Sequence, residues 1–433
     1  MHPGGALEGC TTNFNHSLIN WRATILSLAL FTAVPAGARA QDAPPPPPQG
    51  LLREPTFIER AVVFMDRRHG PGEFRDNTLR EGYYVDFGNM IPGAGWISAG
   101  PGYRRWYGSD ALFVDASAAL SWRGYKTAQA RFELPTLARS RLAVGSQVRW
   151  QDFTQVSYFG EGPESLESNV SDYRLTSTNL VGYATFWPME WLAIGANVGW
   201  LKPDIRSRAG FFERDRPETQ QLFASDVVFA QAEQPTFIHS EASITADTRD
   251  FAGHPSRGGL YRAAASNYSD RDSGIFSFRR YELEGAQFIP VAGSRAVIAL
   301  HGWLAASDAG EGEAVPFYLL PSLGGHNSLR SYSDYRFHDR NMIVVNAEAR
   351  IAMMSHVDAA VFVDAGNVAP RVGDLNFDRR SVGAGLRLHT RRQTFARLDV
   401  ARGDEGWRVL IRLTDPLSLS RLARRTAAVP FVH

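Results

Sequence analysis

From Gly82 onward the chain alternates apolar and polar residues in short runs, many times over. Asp115 to Arg123 sets Ala116, Ala118, Leu120 and Trp122 against Asp115, Ser117, Ser121 and Arg123. Thr127 to Leu134 opposes Ala128, Ala130, Phe132 and Leu134 to Thr127, Gln129, Arg131 and Glu133. Ile343, Val345, Ala347 and Ile351 stand against Asn346, Glu348 and Arg350, and Val382, Ala384, Leu386 and Leu388 against Ser381, Gly383, Arg387 and His389. Successive side chains of a strand point to opposite faces, so each run has one oily side and one polar side. The pattern predicts about sixteen strands. They fall near 82–90, 95–106, 113–123, 126–135, 141–152, 176–187, 191–201, 237–247, 258–268, 280–290, 294–305, 341–352, 357–366, 381–390, 394–403 and 407–414.

Two closed architectures satisfy such strands. A soluble barrel or sandwich turns the oily face inward, and a membrane barrel turns it outward. The connections separate them. Pro188 to Glu190, Val291 to Gly293, Ser355–His356 and Arg391 to Gln393 are short and fall on one side. Thr154 to Leu175, Leu201 to Phe237 and Ser307 to Arg340 are long and fall on the other. Short turns on one rim, long loops on the other and an even strand number are the pattern of bacterial outer-membrane barrels. Trp122, Trp150, Phe186, Trp187 and Trp303 fall near strand ends, where interfacial aromatic girdles sit. The predicted fold is therefore all-β, a transmembrane antiparallel β-barrel, with a short amphipathic helix before it.

That helix is expected over Thr56 to Arg68, where Ile58, Ala61, Val62 and Met65 share one face just after Pro55. It is read as capping the inner mouth or lying on the membrane surface. Upstream, Arg22, the apolar run Ala23 to Val34 and Ala38-Arg39-Ala40 read as a signal peptide over 1–40. Residues 41–81 then form a spacer, with prolines at 44–48, and the helix. The barrel is assigned to 82–414, and 415–433 to a periplasmic tail carrying Arg421, Arg424 and Arg425.

Charge and chemistry change this picture little. With 46 basic and 45 acidic residues the net charge is +1, which gives no clustered positive excess for nucleic acid. The single cysteine, Cys10, lies in the segment expected to be removed, so no disulfide or cysteine metal site is expected. No G-x-S-x-G, H-E-x-x-H or G-x-x-x-x-G-K-[ST] motif occurs. His239, His301 and His389 have lumen parity and are read as wetted lumen residues rather than ligands or bases. Glu241, Glu282 and Glu284 are lumen carboxylates whose spacing demands no hydrolase site. No catalytic residue, metal or cofactor is expected.

Four stretches resemble the BamA/TamA superfamily of outer-membrane assembly and translocation barrels, also called the bacterial surface antigen family. Asp247-Thr248-Arg249-Asp250 with Pro255-Ser256-Arg257-Gly258-Gly259 resembles its strand–turn–strand motif. Leu323-Gly324-Gly325 through Leu329-Arg330-Ser331-Tyr332 resembles its sixth external loop. Asn346 to Arg350 and Phe362 to Gly366 resemble the next two strands. Asp404-x-Gly406-x-x-Val409-x-Ile411 resembles an outer-membrane assembly signal. The resemblance implies a loop folded into the lumen, with Arg330 meeting Glu348 and Asp364. In a wet bore that contact is expected to order the loop rather than to stabilise the fold. The family usually has glycine after the loop arginine. Here it is Ser331, which would be strained if the site needs a positive φ.

Residues 41–81 are too short for the POTRA repeats that precede such barrels. The resemblance implies insertion or translocation of a protein or lipid client, with outer-membrane lipid and a protein client or periplasmic partner as its contacts. A passive or selective pore and a structural surface antigen remain as alternatives.

Overall fold

A computed structural model describes residues 51–60, 62, 81–87, 98–208, 215–230, 234–291, 295–390 and 394–412. The expected signal peptide, the proline run, most of the predicted helix and the C-terminal tail lie outside these residues.

The described residues form eighteen strands. They are β1 Gly82–Phe87, β2 Ser98–Tyr107, β3 Leu112–Ser121, β4 Lys126–Thr136, β5 Leu142–Tyr158, β6 Ser171–Met189, β7 Leu192–Arg206, β8 Phe237–Asp247 and β9 Gly258–Asp270. Then come β10 Phe278–Val291, β11 Ala296–Ala309, β12 Ser322–Leu323, β13 Phe337–His338, β14 Asn341–Ala352, β15 Val357–Ala369, β16 Arg379–His389, β17 Thr394–Gly403 and β18 Gly406–Arg412. Sixteen of them make one antiparallel sheet in chain order, from β1 to β11 and then from β14 to β18. The short pair β12–β13 lies within the loop joining β11 to β14. Among the described residues β1 pairs with β2 alone and β18 with β17 alone.

Burial fixes which side faces outward. On β3 the polar Asp115 and Ser117 are buried, while Leu120 on the opposite face is 47% exposed. Phe132, Val361, Val382 and Leu386 are exposed in the same way, opposite the buried Glu133, Asp364, Ser381 and Arg387. An oily face turned out and a charged face turned in is the membrane-barrel arrangement. The sheet also curls back on itself. The Thr394 amide on β17 donates to the carbonyl of Gly253 in the β8–β9 turn (3.1 Å), although the two elements are far apart in strand order. Among the described residues no helix is long and apolar enough to cross a membrane.

The connections β4–β5, β6–β7, β10–β11, β14–β15 and β16–β17 leave the sheet at the same rim as the β8–β9 turn, and the connections β5–β6, β7–β8 and β11–β14 leave it at the other. Three long strands depart from expectation: β5, β6 and β7 run several residues into the segments read as loops. Residues 151–156 of β5 are buried on both faces, so the alternation that marks a half-wetted strand is lost there. Phe153, Tyr158 and Tyr173 of these projecting ends join Phe276, Phe317 and Tyr318 in an aromatic cluster under the long loops. Trp303 also departs from the predicted girdle. It is 2% exposed and packs inward with Leu329, Tyr332 and Phe337. The described part of the predicted helix, residues 56–60 and 62, is helical. Its approach is pinned at the short-turn rim, where the Leu52 amide donates to the Met353 carbonyl (2.8 Å) and Glu54 pairs with His356 (2.7 Å).

Candidate functional site: the lumen loop and its wall

The loop between β11 and β14 turns into the barrel on two glycines. Gly324 (φ +115°) and Gly325 (φ +87°) hold left-handed backbone conformations. A Cβ on Gly324 would lie 2.2 Å from the Ser333 carbonyl, so the hairpin closes too tightly for a side chain. Below it Leu323, Leu329, Tyr332 and Phe337 are buried against Met342, Val344 and Val368 of the wall. This apolar footing carries Arg330 down to two acidic strands.

Strand register prepares the receiving surface. Asn346 on β14 faces Asp364 on β15, which faces Ser381 on β16, and all three have lumen parity. Arg330 donates to Asp364 from its backbone nitrogen (3.1 Å), from Nε (3.0 Å) and from Nη2 (2.7 Å). Its Nη1 donates to Glu348 Oε2 at 2.7 Å. The guanidinium carbon also sits 3.4 Å from the ring centroid of Phe362. A planar fork of donors suits two carboxylates and an aromatic face together, and an ammonium does not. The loop motif and the two strand motifs therefore meet at one point.

The expectation of a wet, screened contact is corrected. Arg330 is 1% exposed, Glu348 2% and Asp364 0%. Burial by itself works against the Arg330 charge, and the carboxylates of Asp364 and Glu348 outweigh it and hold the group above its ordinary range. Ser331 is corrected too. Its φ is not positive, its amide donates to Ser381 Oγ (3.1 Å), and the two hydroxyls lie 2.6 Å apart. The serine is accommodated by a polar partner.

Sequence reasoning missed half of this cluster. Arg387 on β16 donates Nη2 to Glu348 (2.7 Å) and Nη1 to Asp399 on β17 (2.5 Å). Arg397 lies 3.7 Å from Asp399 and donates Nη2 to the His326 carbonyl of the loop (2.6 Å). Three arginines thus face three carboxylates in a ring that leaves the loop and returns to it. Lumen parity of Arg387 and Asp399 was the available signal; their partners were not. Farther along the loop, Tyr332 donates to Asp404 (3.0 Å) and Arg336 to Glu405 (2.7 Å) in the β17–β18 turn. From β18 itself, Arg408 donates to Ser333 (2.9 Å) and Arg412 pairs with Asp334 (3.3 Å).

The other singled-out residues lie elsewhere. Asp247 pairs with Arg249 (2.9 Å), and Asp250 accepts from the Ser256 and Arg257 amides (2.9 and 3.2 Å), folding the β8–β9 turn. Pro255 offers its carbonyl to Arg350. Gly258 has φ +84° at the start of β9. Gly406 (φ +103°) opens β18, where Val409 and Ile411 are 63% and 66% exposed on the outer face. His301 and His239 are not wetted. His301 is 2% exposed between Glu284 (2.8 Å) and Asn346 (2.7 Å), and His239 bonds Asn179 (2.9 Å). Glu241 pairs with Arg262, and Glu282 stays on the lumen side of β10.

Comparison with known proteins bears on the family and the fold. The Omp85 superfamily domain matches residues 112–402. Among solved structures the chain is similar to BamA from Haemophilus ducreyi lacking POTRA domains 1–3, at TM-score 0.59 and 14% identity, over 82% of this chain and 78% of that one. It is also similar to CdiB from Acinetobacter baumannii (TM-score 0.46, 13% identity, 76% of this chain and 58% of that one). CdiB from Escherichia coli gives TM-score 0.48 and 11% identity, over 76% and 61% of the two chains. No curated protein matches the chain. By the extent of the domain match, which takes in the loop, its acidic wall and the strand–turn motif, this chain belongs to the Omp85 superfamily.

Proposed function

We propose that this barrel resides in the bacterial outer membrane and inserts or translocates a protein or lipid client there, by parting the sheet between β1 and β18. The observation that carries the reading is the tie between the lumen loop and the last strand. Arg408 and Arg412 of β18 bond Ser333 and Asp334, three and four residues beyond Arg330. β18 is short and pairs with β17 alone among the described residues, so its side-chain ties to the loop weigh heavily in how firmly it stays seated. The Arg330 cluster then acts as a lock that sets the loop, and the loop in turn holds the strand at the seam. Loop and aromatic cluster occupy the bore at the long-loop rim, which favours a plugged translocator over an open pore. The amphipathic segment pinned at the other rim serves as a gate.

The test is a disulfide engineered between β1 and β18 in the purified barrel, reconstituted in lipid vesicles with an unfolded outer-membrane protein as client. Client assembly is expected to stop when the crosslink forms and to return on reduction. Undiminished assembly by the crosslinked barrel would remove seam opening. Steady, large single-channel conductance with the loop intact would favour the passive pore instead.

A further inference from the structure

We propose that His254, Asp358 and His389 bind one divalent transition-metal ion of the zinc class, which staples the β8–β9 turn to β15 and β16 of the lumen wall. His254 belongs to the turn, Asp358 to β15 and His389 to β16. Their ligand atoms lie within 4.8 Å of one another. His254 Nε2 is 3.1 Å from Asp358 Oδ2, and His389 Nε2 is 3.0 Å from Asp358 Oδ1. The Asp358 side chain is 9% exposed and each imidazole 12%.

A proton inventory says what is needed between these atoms. His389 Nδ1 faces the Thr390 carbonyl oxygen at 3.3 Å, and a carbonyl only accepts, so the ring proton sits on Nδ1. His254 Nδ1 lies 3.1 Å from Thr394 Oγ1, whose own proton goes to the Gly253 carbonyl (3.3 Å). Arg350 Nη1, which only donates, also lies 3.4 Å from His254 Nδ1, so the neighbours of that ring are compatible with either tautomer. His389 in its Nδ1–H tautomer aims a bare Nε2 lone pair at the Asp358 carboxylate, acceptor against acceptor. A cation among the three, a proton on Nε2 or a metal ion, resolves the conflict.

Two imidazole nitrogens and a carboxylate are a zinc donor set that leaves a fourth position for water. A ring N–H held by a carbonyl or hydroxyl oxygen is the outer-shell arrangement that orients metal-binding histidines. The 3.0–3.1 Å separations approach the roughly 3.3 Å edge of a tetrahedron with bonds of about 2.0–2.1 Å. The rings are stacked, with centroids 3.7 Å apart and planes 8° from parallel. Parallel rings do not both hold an ion in plane, so loading splays them by rotation about the Cβ–Cγ bonds. The neighbouring cation, Arg350, approaches His254 on its Nδ1 side (3.4 Å) and donates Nη2 to the Pro255 carbonyl. Nothing in this assignment depends on what passes through the barrel.

The experiment is titration of the folded full chain in detergent micelles with Co²⁺, followed by Zn²⁺. One Co²⁺ per chain is expected, with the visible absorption of a four-coordinate ion, displaced by Zn²⁺. His389→Gln removes the absorption, and Thr394→Val weakens cobalt binding by roughly 10–100-fold through loss of the outer-shell partner. Absence of a stoichiometric cobalt spectrum in the wild-type protein overturns the proposal, leaving the three residues a hydrogen-bonded clasp. An unchanged spectrum in His389→Gln overturns it equally. If that variant does not fold, judged by heat-dependent gel mobility, Thr394→Val decides, because it keeps every ligand and wild-type affinity there rejects the site.

Discussion

Arg330 is joined to Asp364 through its main chain as well as its side chain, by the backbone amide (3.1 Å), Nε (3.0 Å) and Nη2 (2.7 Å). A side-chain bridge alone would tether the loop. The additional amide bond fixes the direction in which the loop backbone runs past β15, and so where Ser333 and Asp334 meet β18.

Arg330→Ala is expected to release the loop while the barrel still forms. Breaking a buried ion pair from one side costs about 3–5 kcal/mol. The lower end is expected here, because Glu348 keeps Arg387 and Asp364 keeps Asn346. Limited proteolysis of the folded variant should cut within 310–340, with heat-dependent gel mobility unchanged. Arg330→Lys keeps the charge without the fork and should fall between. Wild-type resistance in both variants would end the lock interpretation.

Ser331→Gly places the residue usual in the family at this position and is expected to weaken the loop rather than relax it. The site has no positive φ to relieve, and the hydroxyl contact with Ser381 is lost. One lost hydrogen bond is worth about 0.5–1.5 kcal/mol. Urea midpoints for loop protection, measured by proteolysis, should fall. A rise would mean that the serine is strained after all.

Gly258→Ala should disrupt the β8–β9 turn. A Cβ there would lie 2.0 Å from the Thr248 carbonyl oxygen, and φ is +84°. The backbone conformation alone costs about 1–3 kcal/mol for a residue with a side chain. The heat-modifiability temperature should drop, and more so than in Gly312→Ala, where φ is also positive but no atom lies within 4 Å.

The loop should lose stability in acid. Burial pushes the His326 imidazole down from 6.5 to about 4, and the facing Asp334 opposes this without reversing it. The unfolded loop then binds the proton more readily than the docked one. Docking is undiminished above pH 6.5 and weakens as pH falls from there toward about 4, by up to roughly 3 kcal/mol. Proteolytic protection followed across that range should fall more steeply in the wild type than in His326→Gln. Parallel curves would show that His326 is not the titrating group.

Much of the loop's destination was legible in advance, because Glu348 and Asp364 lie at lumen parity on strands whose oily positions are unmistakable. Arg387 and Asp399 have the same parity, but no motif marks them as partners of the loop cluster. Nothing local distinguishes a charged lumen residue with a buried partner from one facing water. Trp303 misled for the related reason that an apolar residue on a barrel strand belongs outside only where the bore is wet, and there the loop has made it dry. The ends of β5 to β7 were hidden likewise, since covering both faces erases alternation.

Strand number, the side of each strand that meets lipid and the asymmetry of the two rims are written in the order of residues, because a pleat converts sequence parity directly into facing. Which charges neutralise one another, which histidines converge on Asp358 and which loop residues reach β18 are not. Apart from Arg397 and Asp399, neighbours on one strand, those partners are 12 to 104 positions apart and are brought together only when the sheet curls and the loop enters the bore. Their energies depend on the water that this closure expels.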